Sequence, residues 1–545
     1  MKMSNTSLRI PFTALSAALL AGAACAPATT AVPAPAPEPA PEMVRPPAPI
    51  NPNLPSMPLE RGPLAISVVY PRAGGTVVST DSAFIFGSVG HGEAFLTING
   101  IPAPVWPNGA FMAYLPVPPR ENPVYEIVAT VGGETANLAH TVKLPAEPVA
   151  DPANATVPPP DTVSGRWAFI SPPAATDPDR IVWGPAVPDP ERVRFFLLPG
   201  TAVRVTGQTG NRLRVALDDS QEASLPATDL VLQPAGVVPP LRRAGALSVA
   251  PAAEWIDVTI PLSGPPPYLA SSDSGVLHLT LYGTTSTDIG DTTGASRTTQ
   301  VNDPLLTSIG HSHTATRSTY RFNLSRSVYG YAPMWREGGL VVRIRRHPRV
   351  DAASPLRGLT IAVDPGHPGL AGESPGATGP TGLREPDAVL AIGLRVRDML
   401  AGLGATPLMI RETPDPVPLN ARAAIGARAN AHALVSIHLN AVPDHVNPFR
   451  AHGTSTYYWF PHSRRLAETT HAALLRNLHL PDLGVLRDNF AVVRNPWMPS
   501  ILPEGAFIIM PDQEYALRTP EYQEAYARAI LEGLEAYFRE IAAGR

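Results

Sequence analysis

The sequence predicts a multidomain protein in which several β-rich modules precede one C-terminal α/β domain. Three observations carry this. A chain of 545 residues exceeds what one hydrophobic core supports, since cores stop growing near roughly 250–300 residues. Short alternating apolar runs, broken by turn pairs, recur through residues 63–351 and read as antiparallel strands. After Leu356 strand-like apolar runs alternate with stretches whose apolar residues recur at helical spacing.

Residues 1–24 read as a signal peptide: Lys2 and Arg9 precede an apolar stretch, Ile10 to Ala24, too short to span a bilayer comfortably. The protein is expected to be exported. The single cysteine, Cys25, follows Leu20-Ala21-Gly22-Ala23-Ala24 as in a lipobox, with Gly22 where that motif usually has Leu. A lipid anchor at Cys25 is expected, plain signal-peptidase cleavage being the alternative. Ala26, rather than aspartate, favours outer-membrane retention in a cell with two membranes, otherwise a periplasmic or secreted protein. One cysteine permits no intrachain disulfide, so stability must come from packing.

The 66 prolines, more than twice the usual share of about 5%, mark linkers and loops. Residues 25–62 are nearly all Pro, Ala and small residues, an extended tether that buries too little to fold. Residues 63–146 carry runs such as Phe95-Leu96-Thr97-Ile98 with turn pairs Asn99-Gly100 and Asn108-Gly109, and resemble an immunoglobulin-like β-sandwich. A linker is expected at 147–163. Residues 164–236, with Leu197-Leu198-Pro199-Gly200-Thr201, resemble an SH3-like barrel, and 237–351 form a further β-rich module. These modules serve as spacers or as wall- or protein-binding units. A net charge of −4 offers no broad basic face, which argues against a nucleic-acid partner.

Residues 352–545 form the α/β domain. Leu359 to Val363, Ala405 to Ile410, Ala433 to Ile437, Thr454 to Phe460 and Ser500 to Leu502 read as strands of a parallel or mixed sheet. Asp387 to Leu403, Arg464 to Leu478 and Glu521 to Phe538 read as helices. Chemistry should lie at the strand ends. Three groups stand there: Asp364-Pro365-Gly366-His367, Gly382-Leu383-Arg384-Glu385 and Ser436-Ile437-His438-Leu439-Asn440. Two imidazoles and one carboxylate make a common catalytic zinc set, leaving a fourth position open. Glu504, after Ser500-Ile501-Leu502-Pro503, supplies a carboxylate for general-base work.

On these motifs the C-terminal third, Leu359 to Phe538, resembles the zinc-dependent N-acetylmuramoyl-L-alanine amidases of the amidase 3 type. The DPGH turn, the glycine-rich stretch from Gly376 to Glu385, the helix from Arg422 to Asn430, the Ser-Ile-His-x-Asn segment and the strand from Pro499 to Phe507 come in the family's order. The resemblance implies His367, Glu385 and His438 as ligands of one catalytic Zn2+. It implies Glu504 as the catalytic carboxylate, serving a hydrolase that cuts between N-acetylmuramic acid and L-alanine in peptidoglycan. Four positions depart from the pattern: Pro368, Pro386, Pro503 and Ala506. Pro503 removes a backbone donor, so its strand is expected at an edge or to be irregular there. The short span from Phe460 to Asn489 leaves little room for the self-inhibiting helix of some family members.

Around this set, Asn440 is read as a substrate contact or a loop-holding residue, and Arg422 as the structural partner of a carboxylate. His432, His445 and His452 are left outside the site, and the pair His311 and His313 is read as an exposed loop. Peptidoglycan is the expected partner, with an activator or wall-anchored protein engaging the β-modules. Two rival readings are a domain that binds the wall without cutting it and a zinc peptidase that cuts a peptide bond.

Overall fold

The structure, a computed structural model, describes residues 45–145, 163–187, 194–288 and 294–544. The expected signal peptide, Cys25, the tether up to Val44 and residues 147–162 of the expected linker lie outside the described residues. The part before residue 350 is β-rich, and the last third mixes a sheet with helices.

Between Ser67 and Thr141, strands form a three-stranded and a four-stranded antiparallel sheet around a core that includes Ile85, Leu96, Phe111, Tyr125 and Ile127. Asn99 and Gly100, with φ of 50° and 76°, make the two-residue turn that their sequence signals. Twelve of the strands between Trp167 and Leu324 join into one sheet, in which the pair Phe196 and Tyr268 spans the expected boundary at residue 236. Gly310-His311-Ser312-His313, expected as an exposed loop, instead ends the strand Leu306–His313. Alternation turns both imidazoles inward, each 4% exposed. Glycine and serine gave that stretch a loop composition, but burial of one strand face decides its conformation.

Residues 45–62, read from composition as the end of a tether, lie along the folded body. Arg45 donates to the carbonyls of Gly92 and Val105, the Asn51 amide donates to Asp512 Oδ2 at 2.9 Å, and Leu54 is buried. Leu54 and Met57 pack on a core shared by the N-terminal sheets and the C-terminal domain, while Ile50 and Leu59 stay exposed.

That domain runs β1 (Thr360–Pro365), α1 (Glu385–Gly402), β2 (Thr406–Met409), α2 (Leu419–Arg428), β3 (Ala433–Asn440), β4 (Thr454–Tyr458), α3 (Arg464–Leu478), β5 (Asp482–Arg487), β6 (Ser500–Phe507), α4 (Pro511–Arg518) and α5 (Pro520–Ala542). The sheet is mixed, in the order β2-β1-β3-β6-β4-β5, with β4 antiparallel to β6 and all other neighbours parallel. Helices α1, α3 and α5 cover one face. In α5, Thr519 caps the first turn and Pro520 fits it, while Tyr526, Ile530, Leu534 and Phe538 recur every four residues and are buried. Each such side chain contributes about 1.5–3 kcal/mol.

The second face is covered by α2 together with the preceding β-rich region: Ala362, Leu434, Met498 and Leu502 share one core with Tyr331, Leu340 and Ile344. The buried Arg345 guanidinium fastens this junction, donating to the carbonyls of Ala431 (2.6 Å) and Asn430 (2.7 Å) and lying 5.0 Å over the Trp497 ring. No helix among the described residues is long and apolar enough to cross a membrane.

Candidate metal centre

The buried strand β1 delivers the Asp364-Pro365-Gly366-His367 turn to the sheet end. Asp364 is fully buried and accepts from Arg422 Nη1 and Ser436 Oγ, each at 2.7 Å, so Arg422 is the partner of a carboxylate, as its position suggested. Arg422 also donates to the Pro365 and Pro368 carbonyls, and Arg411 donates to those of Pro365, Gly366 and Pro386. Two guanidiniums therefore fix the turn's carbonyls in place. Gly366 is required here, because a Cβ would stand 2.4 Å from the His438 ring. His367 itself adopts left-handed backbone, φ 49°, a strain on the order of 1–3 kcal/mol that the surrounding hydrogen bonds sustain.

Glu385, the first residue of α1, meets both histidines. Its Oε1 lies 3.1 Å from His438 Nδ1 and its Oε2 3.4 Å from His367 Nε2. The Leu439 and Ala377 amides donate to the same two oxygens, at 3.0 and 2.9 Å. The His367 and His438 rings meet edge to face with centroids 4.9 Å apart. His367 Nδ1 donates to the Ser374 carbonyl at 3.0 Å, which leaves Nε2 as the lone-pair nitrogen turned to the centre. One ligand atom from each of the three side chains lies within 4.8 Å of the others. Two imidazole nitrogens and a carboxylate oxygen, converging from β1, α1 and β3, fit a zinc ion with an open position.

Burial works against the Glu385 carboxylate, but the hydrogen bond and charge of His438, then His367, hold its pKa below the ordinary value. His438 is raised: burial opposes its charge, and the Glu385 hydrogen bond and charge outweigh it. Burial lowers His367.

Glu504 lies directly across from His438 in the β3–β6 ladder. Its Oε2 is buried with no hydrogen-bond partner among the described residues. Burial pushes its carboxyl up to about 8, His438 pulling it down and Glu385 pushing it up. The expectation for Pro503 is met by irregularity, not by an edge: β6 is an interior strand whose register against β3 shifts between His438 and Asn440. Tyr526 of α5 fills the gap. Its hydroxyl accepts from the Gly505 amide at 2.8 Å and faces the carbonyls of Pro503 (3.0 Å) and His438 (3.1 Å).

A cleft of about 310 Å³ opens over His367, His438 and Glu504, with Leu419, Phe490 and Val492 among its walls. Asn440 stands two residues beyond His438 on the same strand face, hydrogen-bonded to the Tyr457 hydroxyl. His432 and His452 are engaged elsewhere, with the Thr360 amide and the Pro448 carbonyl. Arg411 and Tyr526 escaped the sequence reading. Arg411 had a signal, a charge ending an apolar strand as His367 does; Tyr526 is one buried aromatic among several on its helix.

Residues 361–536 match the N-acetylmuramoyl-L-alanine amidase family. The chain is 35% identical over 210 residues to the protein YqiI of Bacillus subtilis (strain 168), covering 38% of this chain and 98% of that protein. It is 36% identical over 190 residues to the N-acetylmuramoyl-L-alanine amidase LytC of the same strain, covering 34% of this chain and 37% of LytC. The match thus spans nearly all of one relative and little more than a third of the other. The solved structure of the N-acetylmuramoyl-L-alanine amidase AmiC2 of Nostoc punctiforme aligns with 33% of this chain and 96% of its own, at 35% identity and a TM-score of 0.31.

Proposed function

The chain belongs to the N-acetylmuramoyl-L-alanine amidase family, and on that premise we propose that it is a zinc-dependent hydrolase of peptidoglycan, cutting the amide between N-acetylmuramic acid and the L-alanine of the stem peptide. The observation that carries this reading is the unpartnered, buried oxygen of Glu504 beside a His-Glu-His donor set.

In this reading His367, Glu385 and His438 hold the ion. Bound zinc supplies a Lewis acid that polarises the amide carbonyl and lowers the pKa of water to about 7. Glu504 takes the proton of the attacking water and returns it to the alanine nitrogen as the C–N bond breaks, so that the amine leaves neutral. Burial raises this carboxyl, which favours its accepting a proton and later giving it back. Arg411 and Arg422 keep the His367 turn in position, and Asn440 contacts substrate at the end of β3.

The regions 63–146, 164–236 and 237–351, taken as an immunoglobulin-like sandwich, an SH3-like module and a further β-module, position the enzyme at the wall and offer a surface to an activator. Export through the leader and lipidation at Cys25 place it in the periplasm, on the outer membrane where the cell has one.

The test is mass spectrometry of intact sacculi digested by the full chain, with zinc, with chelator, and as Glu504→Ala. Zinc-dependent release of stem peptides bearing N-terminal alanine, absent from the variant, supports the amidase. Products cut within the peptide support a peptidase, and binding to sacculi without release overturns hydrolysis.

A further inference from the structure

Beside the catalytic cleft lies a larger groove, about 550 Å³, with one wall from the N-terminal sheets and the other from the loops of the metal centre. Val69, Tyr70 and Arg72 stand on the first side; Ala377, Val442 and Asp444 stand on the second. We propose that this groove holds the stem peptide of the substrate, so that the N-terminal module supplies half of a binding site that reaches the scissile bond. The proposal rests on the amidase reading above.

The segment from Gly376 to Thr378 has the groove on one side and the centre on the other: the Ala377 amide donates to Glu385 Oε2, and a Cβ on Gly376 would stand 3.1 Å from both Glu385 Oε2 and His367 Cδ2. The second wall, Ala441 to Asp444, directly continues the strand that carries His438 and Asn440. Groove and centre thus share the Gly376–Thr378 segment as a common wall and the end of β3 as a common floor, and a substrate long enough to pass that wall reaches both.

The accessible parts of Val69, Tyr70, Ala377 and Val442 make an apolar lining suited to alanine methyls. Two charged residues line the groove. Asp444 is buried and satisfied from the module side, by the Tyr70 hydroxyl and by the Val78 amide at 2.7 Å. Arg72 is exposed, and its guanidinium meets no carboxylate among the described residues. The charge offered to an occupant is thus positive, complementary to the carboxylates of a stem peptide. The walls are also held in register: the Asp444 contacts and the Tyr114 hydroxyl on the His445 carbonyl (3.0 Å) join module to domain.

The experiment uses the zinc-loaded full chain and two synthetic N-acetylmuramoyl tripeptides, one with free side-chain and terminal carboxylates and one with those groups amidated. Wild type should prefer the acidic substrate, and Arg72→Glu should reduce the ratio of kcat/KM values by about fivefold, through KM. Arg72 is exposed, so an unchanged Tm is expected and checked alongside. An unchanged ratio overturns the groove assignment while leaving the amidase standing. Wild type that releases no peptide from either substrate overturns the amidase reading and the groove with it.

Discussion

His367 with His438 and His311 with His313 are both histidine pairs turned inward on sheets, and they differ in what stands between the rings. At the sheet end of the C-terminal domain, Glu385 turns one oxygen to each imidazole, and backbone amides fix that carboxylate from behind. In the β-rich region, His311 lies flat on Tyr320, ring centroids 4.2 Å apart, and neither of its nitrogens has a hydrogen-bond partner. Asp288 comes no closer than 3.9 Å and is paired with Arg297. The protonation behaviour follows: His438 is raised by its carboxylate against burial, whereas burial brings His311 down to about 4. Residue type is shared; convergence of donors from separate elements, at a site still open to solvent, is what gives one pair a donor set that a metal could occupy.

The largest effect that could break this comparison is Glu385→Ala. Zinc content measured by elemental analysis should fall to background and peptide release on the order of 10³-fold or more, while His311→Ala should retain the wild-type zinc content. Loss of zinc from His311→Ala would show that the two pairs are not distinct in kind.

Glu504→Gln sharpens the same comparison from the chemical side. It should keep the metal and lower kcat about 10²–10⁴-fold, a separation of binding from turnover that steady-state kinetics on zinc-loaded protein can read. Next in size is Arg422→Met, which strands the buried Asp364 carboxylate. Urea unfolding should show a loss of about 3–5 kcal/mol, and zinc affinity should fall about 10–100-fold as the His367 turn loosens.

Acid acts on the histidines outside the centre. His432 and His347 are each brought down to about 4, first by burial and then by Arg345 and Arg326 respectively. A folded-state pKa below the unfolded value of about 6.5 means that the native protein binds fewer protons. Stability is therefore full above about pH 6.5 and is lost as the pH falls toward 4. Tm should drop by about 5 °C between pH 7 and pH 5. His432→Asn, which keeps an acceptor for the Thr360 amide but does not titrate, should flatten that slope. The smallest effect belongs to His311→Phe, which preserves stacking on Tyr320 and should change stability by less than about 1 kcal/mol in the same unfolding assay.

What the sequence made legible was whatever has a local signature. Helix α3 spans the same residues as its apolar spacing indicates, and Pro-Gly turns after apolar strands mark where His367 stands. His367 and His438 each follow an apolar run and Glu385 opens an apolar-patterned helix, and the family resemblance groups the three. Residues that act across the fold left no such trace. Glu514 of α4 accepts from the Thr381 and Leu383 amides and so braces the glycine-rich stretch before Glu385, yet it sits in a short helix with no pattern pointing there. Asp444 follows a proline in a loop and looks solvated, but its partners are more than 360 residues earlier in the chain. Residues 45–62 were hidden by averaging: a proline-rich segment still docks through Arg45, Asn51, Leu54 and Met57.

The Tyr526 hydroxyl, seated where β3 and β6 fall out of register, acts as a shim between the strand bearing His438 and the strand bearing Glu504. Its thickness is one oxygen atom, and it is carried by the final helix. If the site works as proposed, the spacing between the His-Glu-His donors and Glu504 is set from a helix that supplies none of them, and small displacements of α5 would be read out as changes in turnover.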